Sequence, residues 1–333
     1  MTVDVDRFHL IEVLFDCEKH LHVVPEGAEV VDEGILRIKL QAPINSPTEL
    51  LNMLWEISLD EDGKPCDIKE VRAPISRRPG FRGKTVLRRI LGRGPLLAAT
   101  IAKGTSLDPR NHARLFSEMA RKGLDIGLDP LHYSDQEIYE RAYHIEEEID
   151  NFKEEGKRIL YVYNVPNNTD LIDRMIDLGV KAFRLDSFNL ELFNLVTDTK
   201  VMIFLTRPYL LPQLGLELIY SMLPPFGFEV IERPSSRRGV NLEHIDQLIK
   251  GTGSLPMTSP DVTPRNIDYN MSDLDIIIWA DVFVYAHPSG VLAGVKAVRE
   301  MIDSYLRGES LITVAKRVEE VGQAVEKWGL ELR

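Results

Sequence analysis

From residue 95 onward the chain repeats one pattern eight times: a short apolar run, a polar junction, then an amphipathic stretch. PLLAATIAK leads into PRNHARLFSEMARK, GLDIGLD into SDQEIYERAYHIEEEIDNFKEE, RILYVYNV into NTDLIDRMIDLG, and KAFRLDSF into NLELFNLV. VMIFLTRP leads into QLGLELIYSML, FEVIERP into NLEHIDQLIKG, SLPMTSPDV into PRNIDYNM, and DIIIWADVFVYAH into SGVLAGVKAVREMIDSYL. Strands that alternate with helices pair in parallel, each helix crossing back over the sheet. Eight such units predict an α/β fold closed as a (β/α)8 TIM barrel over residues 95–308. Residues 309–333 hold one more amphipathic segment, SLITVAKRVEEVGQAVEKWG, expected as a helix that caps the barrel or packs on a second subunit.

Residues 1–75 read differently. HLIEVLF and ILRIKL are strand-like, and SPTELLNMLWEI opens with Ser46 three residues before Glu49, the spacing of a capping box. The expectation is a small, truncated α+β domain of ferredoxin-like type. Residues 76–94 follow as a Pro- and Gly-containing linker. The wider segment 72–94 carries eight Arg or Lys and no acid, although the whole chain has a net charge of −12. Such a run is either a solvated face or a docking site for an acidic partner. The acidic balance argues against nucleic acid, because a polyanion would be repelled.

Only Cys17 and Cys66 occur, without a C-x-x-C pattern, so neither a disulfide framework nor a thiolate metal site is expected. The N-terminus MTVDVDRFHL has acids where a secretory signal has bases. No stretch reaches the roughly 18 apolar residues that span a bilayer. A cytoplasmic protein without membrane contact is the expectation.

Chemistry in such barrels gathers at the strand C-termini. The polar residues there are Lys103 and Thr105, Asp129, Asn164, Asp186, Thr206 and Arg207, Glu232 and Arg233, Arg237 and Arg238, Ser259 and Asp261, and Asp281 with His287. Lys103, Asp129, Asp186 and Glu232 are the candidate acids and bases. Arg207, Arg233, Arg237, Arg238 and Ser259 are the candidate binders of a phosphate or carboxylate, since guanidinium groups bind such anions with paired hydrogen bonds. Several of these charges are equally able to pair with one another across the strands. For Asp129 the expected partner is Arg207 or Lys103, whereas Asp125 is read as serving the fold.

Several segments, in order, resemble the RuBisCO large subunit and the RuBisCO-like proteins. They are PGFRGK with RGPLLAATIAKGTSLDP, KGLDIGLDP, DLGVKAFRLDSF, FLTRP, PMTSPDVTP and, most specifically, AHPSGVLAGVKAVREMIDSY. Together they cover most of residues 79–306. The resemblance implies a barrel, a dimer and an anionic substrate, but the departures from it matter more. The positions of the family's carbamylated lysine, aspartate and glutamate hold Leu128, Pro130 and Leu131, none of which supplies the oxygen ligands magnesium needs. The strand-one catalytic lysines align with Ala102 and Gly104, leaving Lys103 one residue out of register unless the backbone is irregular there. The strand-five histidine is Thr206, although its arginine is kept as Arg207, and Glu232 falls where strand six has a histidine. The RPSSRRG stretch has no mobile-loop lysine.

Ser259 matches the strand-seven serine, but Pro260 and Asp261, and then Asp281, Val282 and Phe283, replace glycines that cradle phosphate. His287 is expected to be structural, as in the family. In the N-terminal stretch LLNMLWEISL the asparagine that the family's neighbouring subunit contributes is not recognisable. Carboxylation is therefore excluded and no cofactor is expected. What remains is a RuBisCO-like homodimer doing metal-independent proton transfer or isomerisation on a small anion. The alternative is a non-catalytic protein that keeps the fold and uses 72–94 to engage an acidic partner.

Overall fold

The computed structural model describes residues 9–16, 29–32, 35–42, 46–57, 67–72, 77–130, 134–187, 189–208, 216–235 and 241–330. Four strands, β1 (His9–Asp16), β2 (Glu29–Asp32), β3 (Ile35–Ala42) and β4 (Asp67–Arg72), form one sheet in the order β2-β3-β1-β4. All its pairings are antiparallel. A helix, Pro47–Ile57, lies between β3 and β4 in the chain, and the Ser46 hydroxyl accepts the Glu49 N–H at 3.2 Å to start it. Leu50 and Leu54 of this helix join the main hydrophobic core. Among the described residues no helix is long and apolar enough to cross a membrane.

The eight predicted barrel strands are present. They are β5 (Leu96–Thr100), β6 (Ile126–Leu128), β7 (Leu160–Asn164), β8 (Ala182–Asp186), β9 (Met202–Thr206), β10 (Val230–Arg233), β11 (Leu255–Thr258) and β12 (Ile277–Trp279). They close in sequence order as a parallel barrel, with β12 beside β5. Followed once around the ring, the pairings return to the starting strand eight residues out of step. That stagger sets the inward side chains of alternate strands in common layers of four.

The lowest layer is Leu96, Leu160, Met202 and Leu255. Above it lie Ile126, Ala182, Val230 and Ile277, and then Ala98, Val162, Phe204 and Met257. All twelve belong to a single buried inner cluster. The residues between them on each strand, such as Leu97, Tyr161, Phe183 and Ile231, face the helices in the outer core.

Two stretches depart from the sequence expectation. Strand eight stops at Trp279, and DVFVY continues as the helix Asp281–Tyr285. The ladder ends there because the Asp281 carboxylate accepts the Thr100 N–H at 2.7 Å, supplying an acceptor where a strand would have offered a carbonyl. The C-terminal segment forms two helices, Leu311–Arg317 and Glu319–Trp328, meeting at an extended Val318.

The basic segment closes the lower end of the barrel. Its helix Lys84–Leu91 buries Leu87 against the inner cluster, with Val86, Ile90 and Leu91 packed beside it. Arg78 donates to the carbonyls of Gly227, Thr199 and Val201 and pairs with Glu229 at 2.6 Å. Lys84 and Arg88 both pair with Asp275. These partners precede strands, so three of the cations, Arg78, Lys84 and Arg88, are bonded across the barrel floor or to its edge. The segment is thus in part a plug, while Arg77, Arg82, Arg89 and Arg93 stay exposed; no finding supports the acidic partner considered above.

Candidate active site

Above the three apolar layers the barrel interior changes character. The fourth layer is Leu128, Arg184, Glu232 and Trp279, by the same register that orders the layers below. The fifth is Thr100, Asn164, Thr206 and Ser259, and the sixth is Pro130, Asp186, Pro234 and Asp281. Polar groups are therefore concentrated at the strand C-termini, on top of a dry plug. All twelve are buried.

Lys103 reaches this ring by the backbone irregularity the alignment required. Ala102 adopts a left-handed conformation with φ 54°. The turn carries the Lys103 Nζ to 3.4 Å from Asp281 Oδ2, while the Lys103 N–H donates to the Tyr285 hydroxyl at 3.1 Å. Tyr285 in turn donates to the Thr100 carbonyl at 2.6 Å, and burial pushes its phenol above the usual range. Arg207, at the end of β9, is the other non-glycine residue of left-handed backbone among the described residues, with φ 55°. Its N–H donates to Glu232 Oε2 at 2.8 Å and its guanidinium to Asp186 Oδ2 at 2.5 Å. Non-glycine residues held at positive φ cost of order 1–3 kcal/mol and persist where surrounding structure enforces them, often at functional sites.

Lys103, Asp186, Arg207, Glu232 and Ser259 thus lie at the same end of the barrel, at the strand C-termini, with Asp186, Glu232 and Ser259 buried. Ser259 is already engaged: it accepts the Ser235 N–H at 2.8 Å and donates to Asp261 at 2.5 Å. Arg233 is not one of this group. It follows the inward Glu232 and faces the outer layer, donating to Asp246, Asn270 and the Pro234 carbonyl at 2.6–2.8 Å. Arg237, Arg238 and Leu131 lie outside the described residues.

Asp129 is also outside the ring, and the expected pairing with Arg207 or Lys103 is corrected. Leu128 points inward, so Asp129, one residue on, points to the helices. There it takes Arg141 at 2.9 and 3.2 Å and the Tyr161 hydroxyl at 3.0 Å. His112 Nε2 bonds to the same hydroxyl at 2.7 Å, and burial pushes its imidazole down to about 4. Asp125 accepts the Leu97 N–H at 2.8 Å and pairs with Arg299, and His287 bonds the Glu320 carbonyl at 2.9 Å. Both serve the fold, as expected.

Arg184 and Trp279 were not singled out from the sequence. Arg184 donates through Nε to Asn164 Oδ1 at 3.2 Å, and its Nη2 is buried without a hydrogen-bond partner among the described residues. Burial pushes this guanidinium down, opposed by the nearby Asp129 and Asp186 carboxylates. The Trp279 indole N–H is buried and unpartnered in the same sense. A usable signal was present: Arg184 and Asp186 share parity in AFRLD, so both face into the barrel if either does.

The fold is a closed (β/α)8 barrel with polar groups at the strand ends, and it matches the fold of solved RuBisCO and RuBisCO-like proteins. A RuBisCO-like protein from Alicyclobacillus acidocaldarius superposes with a TM-score of 0.76 at 19% identity, covering 96% of this chain and all (100%) of that one. A dimeric archaeal RuBisCO from Hyperthermus butylicus gives 0.74 at 19% identity, covering 97% and 96%. In sequence, a 2,3-diketo-5-methylthiopentyl-1-phosphate enolase of Exiguobacterium sibiricum is 28% identical over 210 residues. That match takes in 54% of this chain and about half, 52%, of the enolase. A RuBisCO-like protein of Archaeoglobus fulgidus is 25% identical over 350 residues, 92% of this chain and 79% of the relative. No family model matches. The resemblance read from the sequence therefore holds: the chain is a divergent homologue of the RuBisCO-like proteins.

The same relatives correct the expectation that no cofactor is used. The enolases among them are Mg2+-dependent enzymes, so substitution at Leu128, Pro130 and Leu131 does not by itself make this chain metal-free. The described residues do not reproduce the family's ligand set. Leu128 and Pro130 are buried, non-ligating side chains, and no three His, Cys, Asp or Glu groups lie together as a metal site among the described residues.

Proposed function

We propose that the chain is an enzyme of the enolase or isomerase type that moves a proton on a small phosphate- or carboxylate-bearing substrate at the barrel mouth, and that it is not a ribulose bisphosphate carboxylase. The observation that carries this reading is the change from three apolar layers to three polar ones at the strand ends. Its rim is held by two residues of left-handed backbone, Ala102 and Arg207. Polar groups are costly to bury unless bonded, and a ring of them set above three apolar layers supports a role toward a ligand.

In this reading Glu232 takes the proton from the carbon beside a substrate carbonyl. The electron pair moves to the carbonyl oxygen, and the Lys103 ammonium, in the turn after β5, donates the proton that makes the enol. Asp186 holds Arg207 in place, and Arg207 anchors the substrate's anionic group, with Ser259 and the arginines at 237 and 238 as further candidates. The named substrate of the related enolases, a 1-phosphorylated 2,3-diketone, has this chemistry and is the first compound to try. We also propose a homodimer, in line with the dimeric archaeal RuBisCO among the structural neighbours.

The test is solvent hydrogen exchange. In D2O, 2,3-diketo-5-methylthiopentyl-1-phosphate is expected to gain deuterium beside the carbonyl, with Mg2+ present and in its absence as separate arms. Glu232→Gln is expected to lower the rate by at least about a hundredfold, within the range ascribed to a general base. No exchange by the wild type in either arm, or full exchange by Glu232→Gln, overturns the proposal.

A further inference from the structure

Arg184 sits on β8 and Trp279 on β12, four places apart in a ring of eight, so the two face each other across the barrel. The register puts them in one layer, immediately under the ring of Thr100, Asn164, Thr206 and Ser259. Both are at least nine-tenths buried, at 2% and 6% exposure, and each carries an N–H with no partner among the described residues. Buried donors are almost always paired, so two orphans in one layer call for a cause. Neither is a packing accident of a small side chain: arginine and tryptophan are long, and from opposite walls both extend toward the axis.

We infer that Arg184 and Trp279 form a buried oxyanion subsite on the barrel axis, occupied by a phosphate or carboxylate oxygen of the ligand. A guanidinium and an indole are donors only, so whatever satisfies both must be an acceptor. The guanidinium charge selects an anion and disfavours a cation or an amide. Asn164 orients the guanidinium through its Oδ1 and is itself fixed by donating to the Pro130 carbonyl at 2.7 Å. Nη2 is left buried without a partner among the described residues. Thr100, Thr206 and Ser259, buried one layer up, separate this layer from the strand ends. The subsite rests on the reading of the mouth as a substrate site and places one anionic group deeper than the Arg207 anchor. Two anionic positions, one on the axis and one on the rim, suit a substrate charged at one end and polarised at the other.

Tryptophan fluorescence of the full chain reads the site directly, since Trp279 is one of only three tryptophans. Inorganic phosphate and acetate are titrated separately, which distinguishes a phosphate from a carboxylate ligand. At least one is expected to give a saturable change that Trp279→Phe abolishes. Arg184→Met is expected to weaken that binding at least about tenfold, the low end for a lost charged hydrogen bond, and Arg184→Lys to recover part of it. A thermal melt of each variant reports folding; if Arg184→Met does not fold, Arg184→Lys and Trp279→Phe carry the test.

Unchanged affinity in Arg184→Met, a response that survives Trp279→Phe, or no response of the wild type to either anion overturns the subsite. Failure of the catalytic reading looks different: the wild type then shows no deuterium exchange while phosphate or acetate still binds through Arg184. Conversely, exchange that depends on Glu232 but is indifferent to Arg184→Met, with binding also unchanged, removes the subsite and leaves the mouth chemistry standing.

Discussion

Replacing Asp129 tests the layer assignment, because the sequence offered this residue as catalytic and the structure makes it a buried tie. Asp129 is fully buried and Arg141 is 1% exposed. Asp129→Ala removes the carboxylate that pairs with the buried Arg141 guanidinium and takes the acceptor from Tyr161, which also binds His112. Breaking one side of a buried pair costs about 3–5 kcal/mol, and a stranded hydroxyl about 1–3 kcal/mol more. Against a total stability of roughly 5–15 kcal/mol, that is a large fraction.

Urea unfolding followed by circular dichroism is expected to show a midpoint lowered in proportion, with little change in slope. The double variant Asp129→Leu with Arg141→Met is expected to regain most of the loss, since an apolar pair can replace a buried ion pair at little cost. The reasoning is refuted if Asp129→Ala unfolds within about 0.5 kcal/mol of the wild type and yet abolishes deuterium exchange. Asp129 would then face the mouth, and the inward and outward sets would have to be exchanged.

Further outcomes follow from the same geometry. His112 is depressed to about 4 when folded, against an ordinary value of 6.5. The unfolded chain therefore binds the extra proton first, and stability is expected to fall as pH drops from about 6.5 to about 4, by on the order of 3 kcal/mol. His112→Gln should flatten that part of the pH–stability curve; an unchanged slope counts against the burial of a neutral imidazole. Leu87→Ala in the floor helix is expected to cost about 2–5 kcal/mol in denaturant unfolding while leaving phosphate or acetate binding at the mouth unaltered. Ala102→Gly relieves a left-handed alanine and is expected to raise stability by about 1 kcal/mol with the exchange rate retained; a destabilised variant would mean the turn before Lys103 is not strained.

Much of the architecture was legible because it rests on local periodicity. Eight apolar runs with amphipathic partners, such as RILYVYNV before NTDLIDRMIDLG, specify strand and helix through side-chain spacing alone, and the parallel barrel follows from their alternation. Where an element is ended by a distant group, the reading failed. DVFVY has a strand's composition, and only the Asp281 bond to Thr100 ends β12 before it. The 72–94 segment has a linker's composition, but its cations find Glu229 and Asp275, which lie over 140 residues away.

The site divides along the same line. The sequence by itself determined which chemistry was available at the strand ends and that the family's three metal-ligand positions hold Leu128, Pro130 and Leu131. The tertiary structure decided which way each of those groups faces. A change of one residue along a strand moves a side chain to the other face, and the eight-residue stagger of the ring sets which inward residues share a layer. Asp129 and Arg233 thereby pass to the outer core, Lys103 is turned in by the left-handed Ala102, and Arg184 and Trp279, distant in the chain and unremarkable in composition, fall in one layer on opposite strands. Those outcomes depend on closure of the whole ring, a long-range condition that no local pattern encodes.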